Sequence, residues 1–179
     1  MARPTPATVG PSASALLFKE VLEDQGITHV VTVPDNTSAP LLAALRVDAA
    51  RRGEKAADGG KIRVLSVSRE GEGIGLASGL WLGGASPAVL IQNTGLLEAG
   101  DALRGTASRM GAPLPLMVTC RGYAKSRRLG IEPADLEVDR EVLIRNDLDS
   151  VAHMTESTLK AWGIPFFRVS DPADLSPVA

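Results

Sequence analysis

Polar residues follow four apolar segments of this 179-residue chain, at the points where strands of a parallel sheet would end. The four clusters are Pro34-Asp35-Asn36-Thr37, Ser68-Arg69-Glu70, Gln92-Asn93-Thr94-Gly95 and Cys120-Arg121-Gly122. Glu70 is a candidate acid–base group, because a carboxyl group at a strand end can hold or transfer a proton for a bound ligand. On position alone, a solvent-exposed charge at the start of a helix is the more common role of such a residue. The clusters together indicate a polar binding edge.

The elements that must position these clusters are alternating strands and helices. Apolar runs predict strands at Ile27–Val33, Lys61–Val67, Ala88–Gln92, Leu114–Cys120 and Phe166–Val169. Helical spacing predicts helices at Ala13–Gln25, Ala39–Ala50, Gly71–Leu82, Leu97–Ser108 and Asp147–Trp162, with Asn36 or Thr37 capping the second. Apolar strands that alternate with helices are typical of an α/β fold with a parallel sheet covered by helices on both faces. Ligand sites in such sheets form at the carboxyl ends of the strands.

The rest of the chain is predicted to be irregular. Residues 1–12 are rich in Pro, Ala, Thr and Ser and are predicted to be a disordered arm, and residues 171–179 a loose tail. Residues 13–170 then form the one folded domain. Within it, Arg51–Gly60 is charged and Gly-rich, which favours a surface loop, and Arg121–Arg145 shows no clear period.

Composition excludes several classes of function. Nineteen Lys and Arg against 21 Asp and Glu give a net charge of −2, so nothing favours nucleic acid or an anionic membrane as partner. A single cysteine, Cys120, excludes an internal disulfide and is predicted to lie in the core. No apolar run approaches the ~20 residues of a membrane helix, and residues 1–12 lack the apolar centre of a signal peptide. A cytoplasmic protein is expected.

One segment offers a nucleotide-binding alternative. Gly71-Glu72-Gly73-Ile74-Gly75 follows a predicted strand and opens a helix, as a dinucleotide fingerprint does. Leu76 stands where the fingerprint has its last glycine, and the next strand ends without an acidic residue for a ribose. Close packing of a helix explains the small residues better. A nucleotide-binding or regulatory α/β module stays an alternative from another functional class.

Considered together, the clusters resemble the pyrimidine-binding domain of thiamine-diphosphate enzymes of the sulfopyruvate and phosphonopyruvate decarboxylase type. The resemblance extends from about Ala13 to Ser170, and it is carried by Val33-Pro34-Asp35, Arg69–Gly79, Gln92–Leu96 and Arg121-Gly122. It implies that Glu70 is the catalytic residue, because Glu70 precedes Gly79 by the family's nine residues and Glu72 does not. The Glu70 carboxyl group would hydrogen-bond the pyrimidine of thiamine diphosphate and promote removal of the thiazolium proton.

The resemblance also implies which other residues contact ligands. Cofactor contacts are expected, besides Glu70, from Pro34, Asp35, Gly73, Asn93, Thr94 and Gly95. Substrate contacts are expected from Asn36, Gln92 and Arg121. Arg121 and Arg69 suit a sulfonate or phosphonate group, since guanidinium binds such anions in a fork geometry. The alternative is that both arginines form ion pairs facing solvent.

A partner chain is implied by what the sequence lacks. Enzymes of this kind hold the diphosphate through Mg²⁺ with a Gly-Asp-Gly motif on a second domain, and no Gly-Asp-Gly occurs here. The resemblance therefore implies that a diphosphate-binding subunit holds the metal and the diphosphate, with no metal ligand in this chain. A hetero-oligomer is expected, or a homodimer when the chain is isolated.

The substrate would be a small anionic 2-oxoacid. Its identity stays open, because Glu132–Asp139 lacks the histidine usual in the family's Pro-x-His stretch. A carboligase of the same cofactor class is the second interpretation, because these residues do not separate protonation of the reaction intermediate from carbon–carbon bond formation.

Overall fold

A parallel sheet lies at the centre of the chain. The computed structural model describes residues 12–51 and 62–175, and within these ranges four strands pair in the order β2-β1-β3-β4. Their bounds are β1 His29–Thr32, β2 Arg63–Ser66, β3 Pro87–Gln92 and β4 Leu116–Thr119. Every pair is parallel, with Thr32 opposite both Ser66 and Leu90, and Gln92 opposite Thr119. The predicted α/β class with a parallel sheet is confirmed.

Helices precede, connect and follow the strands. They are α1 Ala13–Asp24, α2 Ala39–Arg51, α3 Glu70–Leu82, α4 Asn93–Glu98, α5 Gly100–Ala102, α6 Ser108–Met110, α7 Tyr123–Arg128, α8 Arg140–Ile144 and α9 Ser150–Ala161. A π-helical turn, Leu103–Ala107, joins α5 to α6, and 3₁₀ turns form at Pro133–Asp135 and Pro172–Leu175. The stretch without clear period, Arg121–Arg145, thus contains two short helices. No helix in the described residues is both long and apolar enough to cross a bilayer.

Two apolar clusters cover the two faces of the sheet. Adjacent residues of β1 serve opposite faces: Val30 packs with side chains of α1 and α2, and Val31 with side chains of α3 and α4. Both valines are fully buried. Strands covered on both faces must be apolar at every position, and this is why they appear in the sequence as continuous apolar runs. The prediction that helices cover both faces is therefore confirmed.

The turn into α2 differs from its prediction. Neither Asn36 nor Thr37 caps the helix; the Asp35 carboxylate accepts hydrogen bonds from the backbone N–H of Thr37 at 2.6 Å and of Ser38 at 3.1 Å. Asp35 can do this because its short side chain lies close to the backbone amides of the next residues in the chain. A residue predicted to contact ligand thus also shapes the loop after β1.

The helix after β3 begins earlier than its prediction of Leu97. It starts at Asn93, immediately after the strand. Gln92, with φ −84° and ψ 157°, is the last extended residue before the first turn. Asn93, Thr94 and Gly95 therefore belong to the first turn of α4 and not to a loop. Because Asn93 and Thr94 are consecutive in a helix, their side chains point in different directions.

The predicted strand at Phe166–Val169 is wrong. These residues form no strand, and the Arg168 guanidinium instead pairs with the carboxylates of Glu132 and Glu156. The segment has the apolar composition of a strand, but these ion pairs hold it beside α9 and the 3₁₀ turn.

The chain termini agree only in part with their predictions. Residues 171–175 are not a loose tail, because Asp174 accepts hydrogen bonds from the backbone of Ser170 and Asp171, and Leu175 is buried. Residues 1–11 and 176–179 lie outside the described residues, as does most of the predicted loop Arg51–Gly60. Arg51 itself is the last residue of α2.

Candidate active site at the carboxyl edge of the sheet

The predicted site residues start from one edge of the sheet. Because all four strands are parallel, their last residues, Thr32, Ser66, Gln92 and Thr119, lie along the same edge. The segments that follow them carry the four polar clusters. The sheet thus brings together the predicted ligand-binding segments, with those after β1 and β3 adjacent at its centre.

Glu70 is the first residue of α3. It follows Arg69, whose backbone is extended with φ −143° and ψ 147°, so the chain turns sharply into the helix at this point. The side chain of Glu70 is half-buried. Its carboxylate forms no hydrogen bond or ion pair with any residue in the described ranges. A partly buried carboxylate without a protein partner is available to a ligand.

The Glu70 side chain lies directly against the backbone of Gly95 in α4. A Cβ atom built on Gly95 would be 2.3 Å from both Cγ and Oε1 of Glu70, and 2.4 Å from Cδ. No real side chain tolerates such distances, so only glycine at position 95 leaves Glu70 in place. Gly95, predicted as a cofactor contact, therefore provides the space that the carboxylate occupies.

Gly73 is turned toward the sheet. A Cβ atom on Gly73 would lie 3.3 Å from Val67 Cγ2 and 3.5 Å from Val31 Cγ1, and the residue is buried. Gly73 thus lets α3 approach the sheet closely, which is the packing explanation of the small residues. A Cβ atom on Gly75 or Gly79, in contrast, would have no neighbour within 4 Å, so these two glycines face outward.

Asn93 is fully buried and connects the ends of β3 and β4. Its Nδ2 donates to the carbonyl of Arg121 at 3.0 Å and to Thr155 Oγ1 at 3.1 Å, and its Oδ1 accepts from the Arg121 backbone N–H at 3.2 Å. Both amide hydrogens and one carbonyl lone pair are used within the chain. Asn93 therefore supports the edge from inside by fixing the backbone of Arg121.

The neighbouring Gln92 and Thr94 face the edge. Thr94 is exposed, and its hydroxyl donates to Gln92 Oε1 at 2.9 Å. The Gln92 amide nitrogen forms no hydrogen bond within the described residues. Its carbonyl is thus held while its N–H₂ group stays free to donate to a ligand.

Unsatisfied polar atoms cluster at this edge. Four buried side-chain polar atoms lack a hydrogen-bond partner within the described residues, and three of them are Thr32 Oγ1, Asp35 Oδ2 and Thr119 Oγ1. Thr32 and Thr119 end β1 and β4, and Asp35 lies in the loop after β1. Buried polar groups are rarely left without partners, so the edge fits a polar ligand. Pro34 and Asn36, on either side of Asp35, are exposed.

Both candidate arginines are ion-paired. Arg121 Nε donates to Asp149 Oδ2 at 2.9 Å, and Arg69 pairs with Glu98. The terminal nitrogens of Arg121 form no hydrogen bond within the described residues, and its side chain is largely exposed. The ion-pair alternative therefore describes both arginines, which are exposed and paired with carboxylates; Arg121 in addition keeps terminal nitrogens that form no hydrogen bond within the described residues.

Two further carboxylates hold the turn that carries Glu70, which we call the Glu70 turn (residues 68–71). Glu72 Oε2 accepts from the backbone N–H of Ser68 at 3.0 Å. Glu98 Oε2 accepts from the backbone N–H of Gly71 at 2.8 Å. No motif in the sequence singles out Glu98, because 28 residues separate it from Glu70 and only the fold brings them together.

The prediction that Cys120 lies in the core is wrong. Cys120 follows the last residue of β4 and is exposed at the edge. The pKa of its thiol is raised above the ordinary value. The larger cause is partial burial of the sulfur atom, and the next is the negative charge of Glu156. A raised pKa favours the protonated thiol, which is a poor nucleophile. Burial is also the main cause that raises the pKa of the nearby Tyr123.

Fold and edge together define a parallel α/β domain with polar residues at its strand ends. A family model described as "Thiamine pyrophosphate enzyme, N-terminal TPP binding domain" matches residues 13–140, well over half of the chain. The chain belongs to this family.

Three curated relatives have informative names. Sulfopyruvate decarboxylase subunit alpha of Methanococcus maripaludis is 30% identical over 116 residues, which cover 65% of this chain and 62% of the relative. The protein of the same name from Methanothermobacter thermautotrophicus is 31% identical over 101 residues, 56% of this chain and 54% of the relative. Sulfopyruvate decarboxylase of Methanosarcina acetivorans is 37% identical over 68 residues, 38% of this chain and 17% of the relative. The matches thus span less than two thirds of each relative.

Asn93→Ala tests whether Asn93 is structural. We expect the variant to lower the free energy of unfolding by about 1–3 kcal/mol, because buried partners lose their hydrogen bonds. The measurement is urea unfolding of the isolated chain. Thr94→Ala, at the exposed neighbouring position, should change it by less than about 0.5 kcal/mol. Equal stability of the two variants would contradict the structural role.

Gly95→Ala tests the contact with Glu70. We expect the fold to survive with a change in unfolding free energy within about 1 kcal/mol, because alanine favours the helix and the clashing group is a flexible side chain. The Glu70 carboxylate should move away from α4, which a crystal structure of the variant would show. Gly79→Ala, with open space around it, should stabilise the chain by about 1 kcal/mol and leave Glu70 in place. An unmoved Glu70 in Gly95→Ala would refute the contact.

Proposed function

We propose that this chain is the pyrimidine-binding subunit of a thiamine-diphosphate-dependent 2-oxoacid decarboxylase of the sulfopyruvate or phosphonopyruvate type. Membership of the thiamine pyrophosphate enzyme family supports the cofactor. The names of the curated relatives support decarboxylation and a subunit of a larger enzyme. The observation that carries the proposal is the unpartnered carboxylate of Glu70, half-buried at a strand end and lying against Gly95.

The edge of the sheet offers polar atoms to the pyrimidine ring of the proposed cofactor. Glu70 offers a carboxylate without a protein partner in the described residues, and Asp35 Oδ2 and Thr32 Oγ1 are buried polar atoms that lack one. We propose that Glu70, Pro34, Asp35, Thr94 and Gly95 line the cofactor. Gly73 and Asn93 act from inside, by packing α3 on the sheet and by fixing the backbone of Arg121.

The catalytic work of this chain is then proton handling at Glu70. When bound, thiamine diphosphate supplies the electron sink for the charge left as a 2-oxoacid loses carbon dioxide. With the cofactor in place, the Glu70 carboxyl group would hydrogen-bond the pyrimidine ring and would be the group of this chain that exchanges a proton with it. Gly95 leaves the space that this carboxyl group occupies, since a Cβ atom there would displace it.

A small anionic 2-oxoacid would meet Arg121, Gln92 and Asn36. Arg121 presents terminal nitrogens that no described residue engages, while its Nε is fixed by Asp149 at 2.9 Å. Gln92 has a free amide nitrogen and a carbonyl held by Thr94. A guanidinium with open donors suits a sulfonate or phosphonate, and the two groups together would orient an acid with two negative groups.

We place the diphosphate and Mg²⁺ on a partner subunit, as the missing Gly-Asp-Gly motif suggests. The outer face of α3 is the proposed contact surface. It carries Gly75 and Gly79, with open space at both Cβ positions, together with Leu76 and Leu82, which are 39% and 67% exposed. Small residues beside exposed leucines let another chain approach the helix that begins with Glu70. Cytoplasmic localisation is part of the same proposal.

Reconstitution tests the subunit proposal. The purified chain with thiamine diphosphate and Mg²⁺ should release no carbon dioxide from sulfopyruvate or phosphonopyruvate, and a Gly-Asp-Gly-bearing chain from the same organism should restore turnover. Leu76→Arg should prevent activation by the added chain, whereas Leu129→Arg, at a comparably exposed leucine at the end of α7, should not.

Sedimentation should show a homodimer for the isolated chain. Full turnover by the single chain would refute the proposal, and a carbon–carbon bonded product would favour the carboligase.

Glu70→Gln tests the catalytic assignment in the reconstituted complex. The substitution keeps size and polarity but removes the exchangeable acid proton, so we expect turnover to fall by about 10²- to 10⁴-fold. The affinity for thiamine diphosphate should change little, because the diphosphate is held elsewhere. Glu72→Gln is the matched control, since its amide oxygen can still accept from Ser68. Equal losses in both variants would contradict the assignment of Glu70.

A further inference from the structure

Glu98, the last residue of α4, reaches across to the Glu70 turn. Its Oε1 accepts hydrogen bonds from Arg69 Nε at 3.0 Å and from Arg69 Nη2 at 2.6 Å. Its Oε2 accepts from the backbone N–H of Gly71 at 2.8 Å. One carboxylate thus binds the residue before Glu70 and the residue after it.

The start of α3 needs such a partner. The first amides of a helix have no acceptor within the helix, and the residue before α3, Arg69, supplies no side-chain cap. Glu98 takes over this function for Gly71, and its negative charge lies favourably at a helix N-terminus. Hydrogen bonds from Arg69 and Gly71 also hold the pKa of Glu98 below its ordinary value.

The same helix supplies both supports of Glu70. Gly95 and Glu98 are three residues apart in α4, a spacing that places them on one face. Gly95 lies under the Glu70 side chain, and Glu98 binds the guanidinium of Arg69 before it and the backbone N–H of Gly71 after it. A Cβ atom on Gly71 would be 3.6 Å from Glu98 Oε2 and 3.8 Å from Ala102 Cβ, so the backbone of the turn lies close to this part of the chain.

We infer that Glu98 is a positioning residue: it fixes the backbone of the Glu70 turn so that the Glu70 carboxyl group stays above Gly95 and directed to the ligand. Glu98 acts through Glu70 and has no contact of its own with the reacting groups. The inference rests on the proposed function for its catalytic consequence. Its structural part, the two-sided hold on the turn, stands on the hydrogen bonds alone.

The structural part is tested on the isolated chain by NMR. In Glu98→Ala, the Gly71 amide should lose its acceptor, and its hydrogen-exchange protection should fall by at least about tenfold relative to wild type. Glu98→Gln is the milder variant, because its amide oxygen can still accept from Gly71 while the charge that pairs with Arg69 is gone. It should shift the Gly71 amide resonance with a smaller loss of protection. Unchanged Gly71 protection and resonance in both variants would overturn the inference.

The catalytic part is tested in the reconstituted complex. Glu98→Ala should lower kcat by about 10- to 100-fold, the effect of a displaced catalytic group, with KM for the 2-oxoacid within about twofold of wild type. Asp101→Ala is the matched control: Asp101 also pairs with an arginine, Arg104, at 2.5 Å, but forms no hydrogen bond to the Glu70 turn. It should leave kcat unchanged. An equal loss of kcat in both variants would contradict positioning.

A double variant separates positioning from an independent role. In the Glu70→Gln background, Glu98→Ala should cause almost no further loss, because a residue that acts through Glu70 has nothing left to position. A further tenfold loss in that background would overturn the inference. If Glu70→Gln alone retains full turnover, the proposed function fails, and the Gly71 amide measurements still decide whether Glu98 holds the turn.

Discussion

The close approach of the Glu70 side chain to the backbone of Gly95 is the contact on which the rest of this site depends. It joins the first turn of α3 to the first turn of α4, although these helices follow strands separated by β1 in the sheet. The approach requires a glycine in α4, since any Cβ atom there would overlap the Glu70 side chain. It also requires Gly73, which lets α3 pack against Val31 and Val67. Two glycines thus bring a carboxylate to the centre of the carboxyl edge.

Charge pairing explains why Glu70 is left available. Arg69 is the nearest cation in sequence, yet it pairs with Glu98. Glu72, two residues further on, accepts from the backbone of Ser68. Because the surrounding donors already have acceptors, no group in the described part of the chain hydrogen-bonds or ion-pairs with the Glu70 carboxylate. At the other end of the edge, Asp149 fixes only Nε of Arg121 and leaves the terminal nitrogens open.

Much of the fold could be predicted from the sequence, because a sheet covered on both faces produces continuous apolar strands. The β1 pair Val30 and Val31 illustrates this, since both are fully buried on opposite faces. The segment Phe166–Val169 has similar composition but forms no strand, because ion pairs of Arg168 hold it elsewhere. Apolar composition predicts a strand only where a neighbouring strand is within reach.

The site was only partly predictable for a different reason. The residue types at the strand ends indicated the edge, and a resemblance in spacing singled out Glu70. The directions of the side chains depended on where α4 begins: its start at Asn93 turns Asn93 inward to Thr155 and sets Gly95 against Glu70. Glu98 carried no signal at all in the sequence, because its partners Arg69 and Gly71 are distant in the chain.

The most direct measurement of the central claim is a structure of the reconstituted complex with thiamine diphosphate bound. We predict that a Glu70 carboxyl oxygen lies within hydrogen-bond distance of the pyrimidine ring, about 2.6–3.2 Å, and that the side chain still lies against Gly95. A pyrimidine ring hydrogen-bonded to Glu72, or to a carboxylate of the partner with Glu70 turned to solvent, would contradict it.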